Sequence, residues 1–243
     1  MQLCIDIGNS RVKSAVFDGH ELVVLERHPS FLPSLHENWI LKYNIVDIIL
    51  SSTRADVPEI STFLQGHPQC LVLDHATPLP IALAYQTPLT LGKDRLAAAV
   101  ACHDMFPGEA VVFIDAGTCI TTNLIDAQGC FLGGNISPGI NMRLKAMHQF
   151  TGKLPLVEPV YHDELLGYNT TTALQNGAVR GAIYEIVSFL EESRKNFPDA
   201  RIVLTGGDAI IFAKHLKIKI FANPNLVLLG LNKILRFNAA TMH

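Results

Sequence analysis

The stretch Ala110-Val111-Val112-Phe113-Ile114-Asp115-Ala116-Gly117-Thr118 governs how the chain is read, because it repeats a pattern met at the beginning. There, Gln2-Leu3-Cys4-Ile5 runs into Asp6-Ile7-Gly8-Asn9-Ser10. Both are short apolar strand patterns ending in Asp-x-Gly. Each is followed by an alternating strand that closes on another acidic turn, Ser14-Ala15-Val16-Phe17-Asp18-Gly19 in one half and Thr122-Asn123-Leu124-Ile125-Asp126 in the other. An Asp at a strand end can hold a hydrated metal ion, and small residues beyond it let backbone N–H groups approach phosphate. Two copies imply a duplicated fold with a nucleotide in the cleft between the halves, and point to phosphoryl transfer.

Around these turns, the first half reads as strands over 2–7, 11–17 and about 21–26, then a helix over about 33–43. A strand at 46–50, the turn Ser51-Ser52-Thr53, a short helix over about 57–65 and a strand at 70–73 follow. Pro78, Pro80 and Pro88 mark an irregular segment around Tyr85, and an alanine-rich helix begins near Gly92. The second half repeats the order with strands at 110–115, 119–125 and 130–135, and Ser137-Pro138 predicts a helix start with Ser as N-cap. A long apolar-periodic helix spans about 171–195, followed by a strand at 201–204, a turn at Thr205-Gly206-Gly207-Asp208, a helix to about 216 and a closing helix near 227–236. Pro107-Gly108 is the natural boundary, giving halves 1–107 and 108–243. Strand–helix alternation after three leading strands, twice over, is an α/β plan with mixed sheets whose ligands bind at the carboxyl ends of strands.

Composition narrows the function classes. The chain has 243 residues, 49% of them hydrophobic, and a positive mean hydropathy, which fits a well-buried protein. Only 17% are charged, below the roughly 25% usual in soluble domains, so some surface is expected to be apolar or shared with a partner chain. A net charge of −3 without a Lys/Arg stripe argues against nucleic acid. Cys4, Cys70, Cys102, Cys119 and Cys130 are scattered, and read as reduced core residues rather than ligands or bridges. Asp6 inside the first apolar run excludes a signal peptide, and no run approaches the ~18 residues of a membrane span, so a cytoplasmic protein is expected.

Four constellations could carry chemistry. Asp6-Ile7-Gly8-Asn9-Ser10, with Arg11, Val12 and Lys13, is a candidate phosphate grip: Gly8 allows close backbone approach and Lys13 could reach a phosphate oxygen. Gly92-Lys93-Asp94-Arg95 opens a helix; an Asp in a cleft can take a hydroxyl proton while an adjacent Arg holds an anionic group. Gly133-Gly134-Asn135-Ile136-Ser137-Pro138-Gly139 permits close approach by a ligand or by another backbone. Thr205-Gly206-Gly207-Asp208 does the same, and a surface without side chains suits an adenine ring. Each has an ordinary reading as well: a plain turn for the three glycine-containing turns, and for Gly92-Lys93-Asp94-Arg95 an Asp complementing the helix dipole beside a surface Arg. His103, Asp104, Met105, His162 and Asp163 lack a third partner at metal-ligand spacing, and neither a P-loop nor the protein-kinase signatures are present.

In order, these motifs resemble those of the type III pantothenate kinases, of the acetate and sugar kinase, heat-shock-70 and actin superfamily. The resemblance runs nearly end to end and includes Tyr85-Gln86-Thr87-Pro88 and Asn169-Thr170 besides the turns above. It implies a duplicated ribonuclease-H-like fold, that of the actin-like ATPases, with two mixed-sheet halves and an interdomain cleft. It further implies ATP-dependent phosphorylation of pantothenate, the first step of coenzyme A synthesis. On that likeness Asp94 is the general base, the turn from Asp6 to Lys13 holds the ATP phosphates with Asp6 near Mg²⁺, and Thr118, Gly206 and Gly207 contact ATP. Tyr85, Gly92, Lys93, Asp94 and Arg95 line the pantothenate site, and Thr170 reaches across a homodimer interface. Asp115 corresponds to a ligand of a monovalent cation, K⁺ or NH₄⁺. Ser10 replaces the Thr of many members, and Arg11 with Lys13 makes the turn more basic. A helix face of Gly177, Ala178, Gly181 and Ala182 also suggests a homodimer. Two other readings stand beside the kinase: a non-catalytic relative acting as a transcriptional accessory factor, and a superfamily kinase for another small molecule.

Overall fold

β1 (Gln2–Ile7) forms because its residues are continuously apolar from Leu3 to Ile5, and it is buried on both faces as the central strand of its sheet. A computed structural model describes residues 1–54, 58–216 and 218–239 of the chain. Two compact units emerge. The first comprises Met1–Gly108, Gly129–Leu132 and the segment from Asn225; the second comprises Glu109–Gln128 and Gly133–Pro224.

In the first unit, β1 pairs antiparallel with β2 (Val12–Asp18), which pairs antiparallel with β3 (Glu21–His28). α1 (Pro33–Tyr43) carries Pro33 in its first turn, where no backbone donor is lost, and stops at Asn44 in the left-handed conformation, φ 48°. β4 (Asp47–Ser52) then returns parallel to β1, and after α2 (Pro58–Gly66), β5 (Leu71–Val72) lies parallel to β4. The order is β3-β2-β1-β4-β5. Leu3, Ile5, Val16, Trp39, Leu50 and Phe63 belong to one core cluster. β6 (Ala82–Leu83) and a 3-10 turn at Pro88–Thr90 lead into α3 (Lys93–Met105).

The second unit repeats this plan. β7 (Val111–Ala116) pairs antiparallel with β8 (Cys119–Ile125), which neighbours β9 (Cys130–Pro138). After α4 (Ile140–Gln149) and α5 (Thr170–Asn196), β10 (Arg201–Thr205) lies parallel to β7. α6 (Ala209–His215) leads to β11 (Phe221–Ala222), parallel to β10. The order β9-β8-β7-β10-β11 matches that of the first unit strand for strand. α5 buries Leu174, Ala178, Ala182, Ile186 and Leu190, an i, i+4 row laid against Ile114, Leu204 and the rest of this unit's core.

The two mixed sheets agree with the sequence reading, and the differences have local causes. The closing helix α7 (Leu226–Ala239), placed by sequence in the second half, packs in the first unit against α3. The alanine run and Gly230 explain this: a Cβ on Gly230 would lie 1.8 Å from the Ala97 carbonyl oxygen, so the helices meet backbone to backbone. α4 begins at Ile140 with Gly139 as N-cap, not at Ser137-Pro138, because β9 stays extended through Pro138 and Gly139 donates its N–H to the Thr118 carbonyl at 3.1 Å. Ser51 and Ser52 extend β4 instead of turning. β6 and β11 are two-residue strands that periodicity does not signal. Residue 57, the first of the expected second helix, lies outside the described residues. All five cysteines are free; Cys4 and Cys102 are fully buried, and burial raises their thiol pKa values, keeping them protonated and inert.

Candidate active site

In the first unit, Asp6 is the penultimate residue of β1, 7% exposed, opposite Lys13 on β2 and Ser51 on β4. The chain then leaves the ladder. Gly8 donates to the Arg11 carbonyl at 3.0 Å, closing a tight turn whose Asn9, Ser10 and Arg11 are exposed. This brings the whole expected phosphate grip, Asp6 to Lys13, to the carboxyl end of the central strand.

α3 positions the second group in this unit. Gly92 is its N-cap, and the Asp94 carboxylate folds back on the helix start, accepting the Arg95 N–H on Oδ1 at 2.8 Å. Gly92 leaves room for this: a Cβ there would lie 2.5 Å from that same oxygen. Asp94 is half-buried. The next residue, Arg95, is 4% exposed, and its guanidinium carbon lies 5.6 Å from the ring centroids of both Tyr85 and Phe131. Such cation–π contacts are worth up to about 2 kcal/mol each when desolvated, and they help fix the position of the guanidinium. β6 supplies Tyr85 by pairing parallel with the start of β9, Leu83 against Phe131, while Ala84 donates to the Phe131 carbonyl at 3.0 Å.

In the second unit, Asp115 occupies the position that Asp6 holds in the first. It is half-buried near the end of β7, opposite Thr121 on β8 and Thr205 on β10. Gly117 donates to the Cys119 carbonyl at 3.0 Å, and Thr118 is exposed at the tip. Two glycines press on this turn. A Cβ on Gly139 would lie 2.3 Å from the Gly117 oxygen, and one on Gly206, at φ 99°, would lie 2.3 Å from the Ala116 oxygen. Gly206 is therefore explained by backbone packing. Gly207 is different, because a Cβ there would meet nothing within 4 Å, so its open face is the one a flat ring could use. Asp208 donates its N–H to the Ala116 carbonyl at 2.9 Å, and partial burial raises its carboxyl pKa.

Thr170 is the first residue of α5 and is exposed. A capping box fixes it: the Asn169 side chain accepts from the Thr172 N–H at 2.9 Å, and Thr172 Oγ1 accepts from the Asn169 N–H at 3.2 Å. The expected small-residue face of α5 divides. Ala178 and Ala182 are buried in the unit's own core, while Gly177 and Gly181 lie towards the surface beside exposed Leu165, Leu166 and Tyr184.

Residues 2–192 match the sequence profile of the type III pantothenate kinases. The chain belongs to the type III pantothenate kinase family. A type III pantothenate kinase of Phocaeicola vulgatus is 44% identical over 98% of this chain and 99% of its own length. Among solved structures, a Campylobacter jejuni protein described as a Baf family transcriptional activator has a TM-score of 0.63 at 24% identity, over 98% of this chain and 99% of that one. The ROK hexokinase of Thermus thermophilus has a TM-score of 0.52 at 15% identity, over 98% and 99%. At these identities both show the fold alone. Together with the repeated strand order, they make it the duplicated ribonuclease-H-like fold of the actin-like ATPases and sugar kinases. As a kinase of the type III pantothenate kinase family, the chain uses ATP as co-substrate.

Sequence reasoning missed two residues beside these groups. Phe131 carried no signal, since only the β6–β9 pairing brings it to Tyr85 and Arg95. Arg54, just beyond β4, hydrogen-bonds the first Asp-x-Gly turn, and nothing in its neighbours' spacing announces that. Among the described residues, no group of three or more His, Cys, Asp or Glu could cage a metal ion, and no helix is long and apolar enough to cross a membrane.

Proposed function

We propose that the protein transfers the γ-phosphoryl group of ATP to the primary hydroxyl of pantothenate, giving 4'-phosphopantothenate and ADP, the first step of coenzyme A synthesis. The observation that carries this reading is the Asp94–Arg95 pair at the head of α3 in a chain of this family. Asp94 Oδ1 is engaged by its own helix backbone, which orients the carboxylate and leaves Oδ2 to take the hydroxyl proton. As that proton leaves, the alcohol oxygen bonds to phosphorus and the bond to ADP breaks. Arg95, packed over the adjoining rings of Tyr85 and Phe131, supplies a fixed cation for the pantothenate carboxylate. Lys93 and Gly92 complete that wall.

The turn from Asp6 to Lys13 grips the phosphates through backbone N–H groups and the Lys13 ammonium. Within the second unit, exposed Thr118 and the open face of Gly207 are the surface suited to nucleotide contact. The donor set at Asp6 fits Mg²⁺. It is one carboxylate near a strand end, without an all-protein cage among the described residues, and Mg²⁺ binds through one or two carboxylates while keeping waters and substrate phosphates. Asp115, with Thr121 and Thr205 opposite it, is an oxygen-donor set suited to K⁺ or NH₄⁺. Such ions supply positive charge against the developing charge of the triphosphate. A homodimer through the exposed α5 face completes the reading, with Thr170 contributing to the partner's substrate site.

The decisive assay is ADP release with ATP, Mg²⁺ and pantothenate in matched K⁺ and Na⁺ buffers. Pantothenate-dependent release is expected, and K⁺ dependence would support Asp115 as a cation ligand. A folded sample that binds ATP but releases no ADP with pantothenate would overturn the reading.

A further inference from the structure

We propose that Arg54 is a positioning residue for the nucleotide: its guanidinium holds the Gly8 and Asn9 carbonyls, and so aims the Asn9 and Ser10 N–H groups at the phosphates. This rests on the kinase reading above, in which that turn is the phosphate grip.

β1 and β4 run parallel, with Asp6 opposite Ser51 and Ile7 opposite Ser52. Beyond that last pair the segment after β4 continues to bond the turn. Thr53 donates to the Ile7 carbonyl twice, through its N–H at 3.0 Å and its Oγ1 at 3.2 Å. Arg54 takes the next two carbonyls, Nε to Gly8 at 2.8 Å and Nη2 to Asn9 at 3.1 Å. The Ser52 hydroxyl braces Arg54 in return, accepting its N–H and donating to its carbonyl, both at 3.2 Å. Three successive carbonyls are thus drawn to the β4 side.

Peptide planarity converts this into an anion site. The C=O and N–H of a trans peptide unit point in opposite directions, and no cis peptide occurs among the described residues. Fixing the Gly8 and Asn9 carbonyls on the β4 side therefore fixes the Asn9 and Ser10 N–H groups on the opposite side. Beyond the Ile7–Val12 pair, where the β1–β2 ladder ends, the Gly8–Arg11 bond closes the turn, and Arg54 holds the Gly8 and Asn9 carbonyls that this bond does not engage. Arginine suits this role because its planar fork holds two acceptors at a set spacing, which the point charge of lysine does not. Its permanent charge also adds to the field of Arg11 and Lys13 where a polyanion would bind.

The test compares wild type, R54A and R54K for the Kd of MgATP by calorimetry, for KM of each substrate, and for Tm. R54A is expected to weaken ATP in both Kd and KM about tenfold, the scale of lost bonds to a charged donor. KM for pantothenate should stay within about twofold, and R54K should recover less than half of the loss on a logarithmic scale. Three results would overturn the inference: unchanged ATP affinity in R54A, full recovery in R54K, or equal weakening of both substrates with a large fall in Tm. The last would mean a merely structural role. If the wild type binds MgATP but phosphorylates no pantothenate, the kinase reading fails while the Kd comparison still decides Arg54. If it binds no MgATP, both fall.

Discussion

Gly92 and Asp94 act as one unit, because the carboxylate occupies the space a Cβ at Gly92 would need. Asp94→Asn should lower kcat by at least about 100-fold while leaving MgATP affinity within about twofold, since general base catalysis is worth roughly 10²–10⁴. Gly92→Ala displaces the same oxygen and should lower kcat about tenfold with the nucleotide KM little changed, a misplacement effect read by steady-state kinetics. Equal losses in ATP binding would remove Asp94 from the base role. His36 belongs to stability instead. It is 1% exposed in the first unit's core, hydrogen-bonded to Ser14 Oγ at 2.8 Å and stacked on Phe31. Burial, and secondarily the neighbouring His28, lowers its pKa from 6.5 to about 4. Between those values the unfolded chain binds the extra proton, so the native state keeps its full advantage above pH 6.5 and loses it as pH falls towards 4. The loss amounts to about 3 kcal/mol. Urea unfolding at about pH 7.5 and about pH 4.5, either side of most of that window, should show it, and His36→Phe should flatten the dependence; an unchanged pH slope in that variant would reject the assignment.

Helix packing depends on backbone contact as much as on apolar area. α3 carries Ala97, Ala98, Ala99 and Ala101, all buried, and α7 answers with Gly230. Gly230→Ala would force the helices apart, since its Cβ would sit 1.8 Å from the Ala97 oxygen. Overpacking of this kind should destabilise the protein by about 3 kcal/mol, measured by urea denaturation, whereas simple helix propensity predicts a gain of about 1 kcal/mol. A stabilised variant would show that the helices can separate at little cost. Much of this level was legible. Periodicity located α5 within a residue at each end, and apolar runs located β1, β4, β7 and β10. The start of α4 was not, because Ser-Pro is a good local start signal and only the contact between Gly139 and the Gly117–Thr118 backbone shows where the chain turns.

Across the molecule, two units share one strand order, each with a half-buried or buried Asp near its central strand's end, Asp6 beside Ser51 and Asp115 beside Thr205. The second unit also leaves Leu165, Leu166, Tyr168 and Tyr184 exposed near Gly181 and the open face of Gly177. This surface is held in shape. Arg180 donates to the His162 and Asp163 carbonyls at 2.6 and 2.7 Å, and Asn176 donates to Glu164 at 3.0 Å. Light scattering should therefore give the mass of two chains. Tyr184→Glu should halve it and lower activity with the dimer, because Thr170 borders the same face. A wild-type monomer at working concentration would sink the dimer.

Strand periodicity and ordered motifs such as Asp6-Ile7-Gly8 and Gly92-Lys93-Asp94-Arg95 were enough to read the duplication, the α/β class and the family, and to single out the segments proposed to carry phosphate and substrate chemistry. Which residues lie against those segments was decided by tertiary contacts alone. They put Phe131 under Arg95, Arg54 on the first turn and α7 against α3, and they separated Gly206, closed by the Ala116 peptide, from Gly207, open to a ligand. Each of these depends on residues far apart in the chain. Local propensity is blind to them, since a hydrogen bond from Arg54 to Gly8 or a missing Cβ at Gly206 has meaning only once the strands that carry them lie side by side.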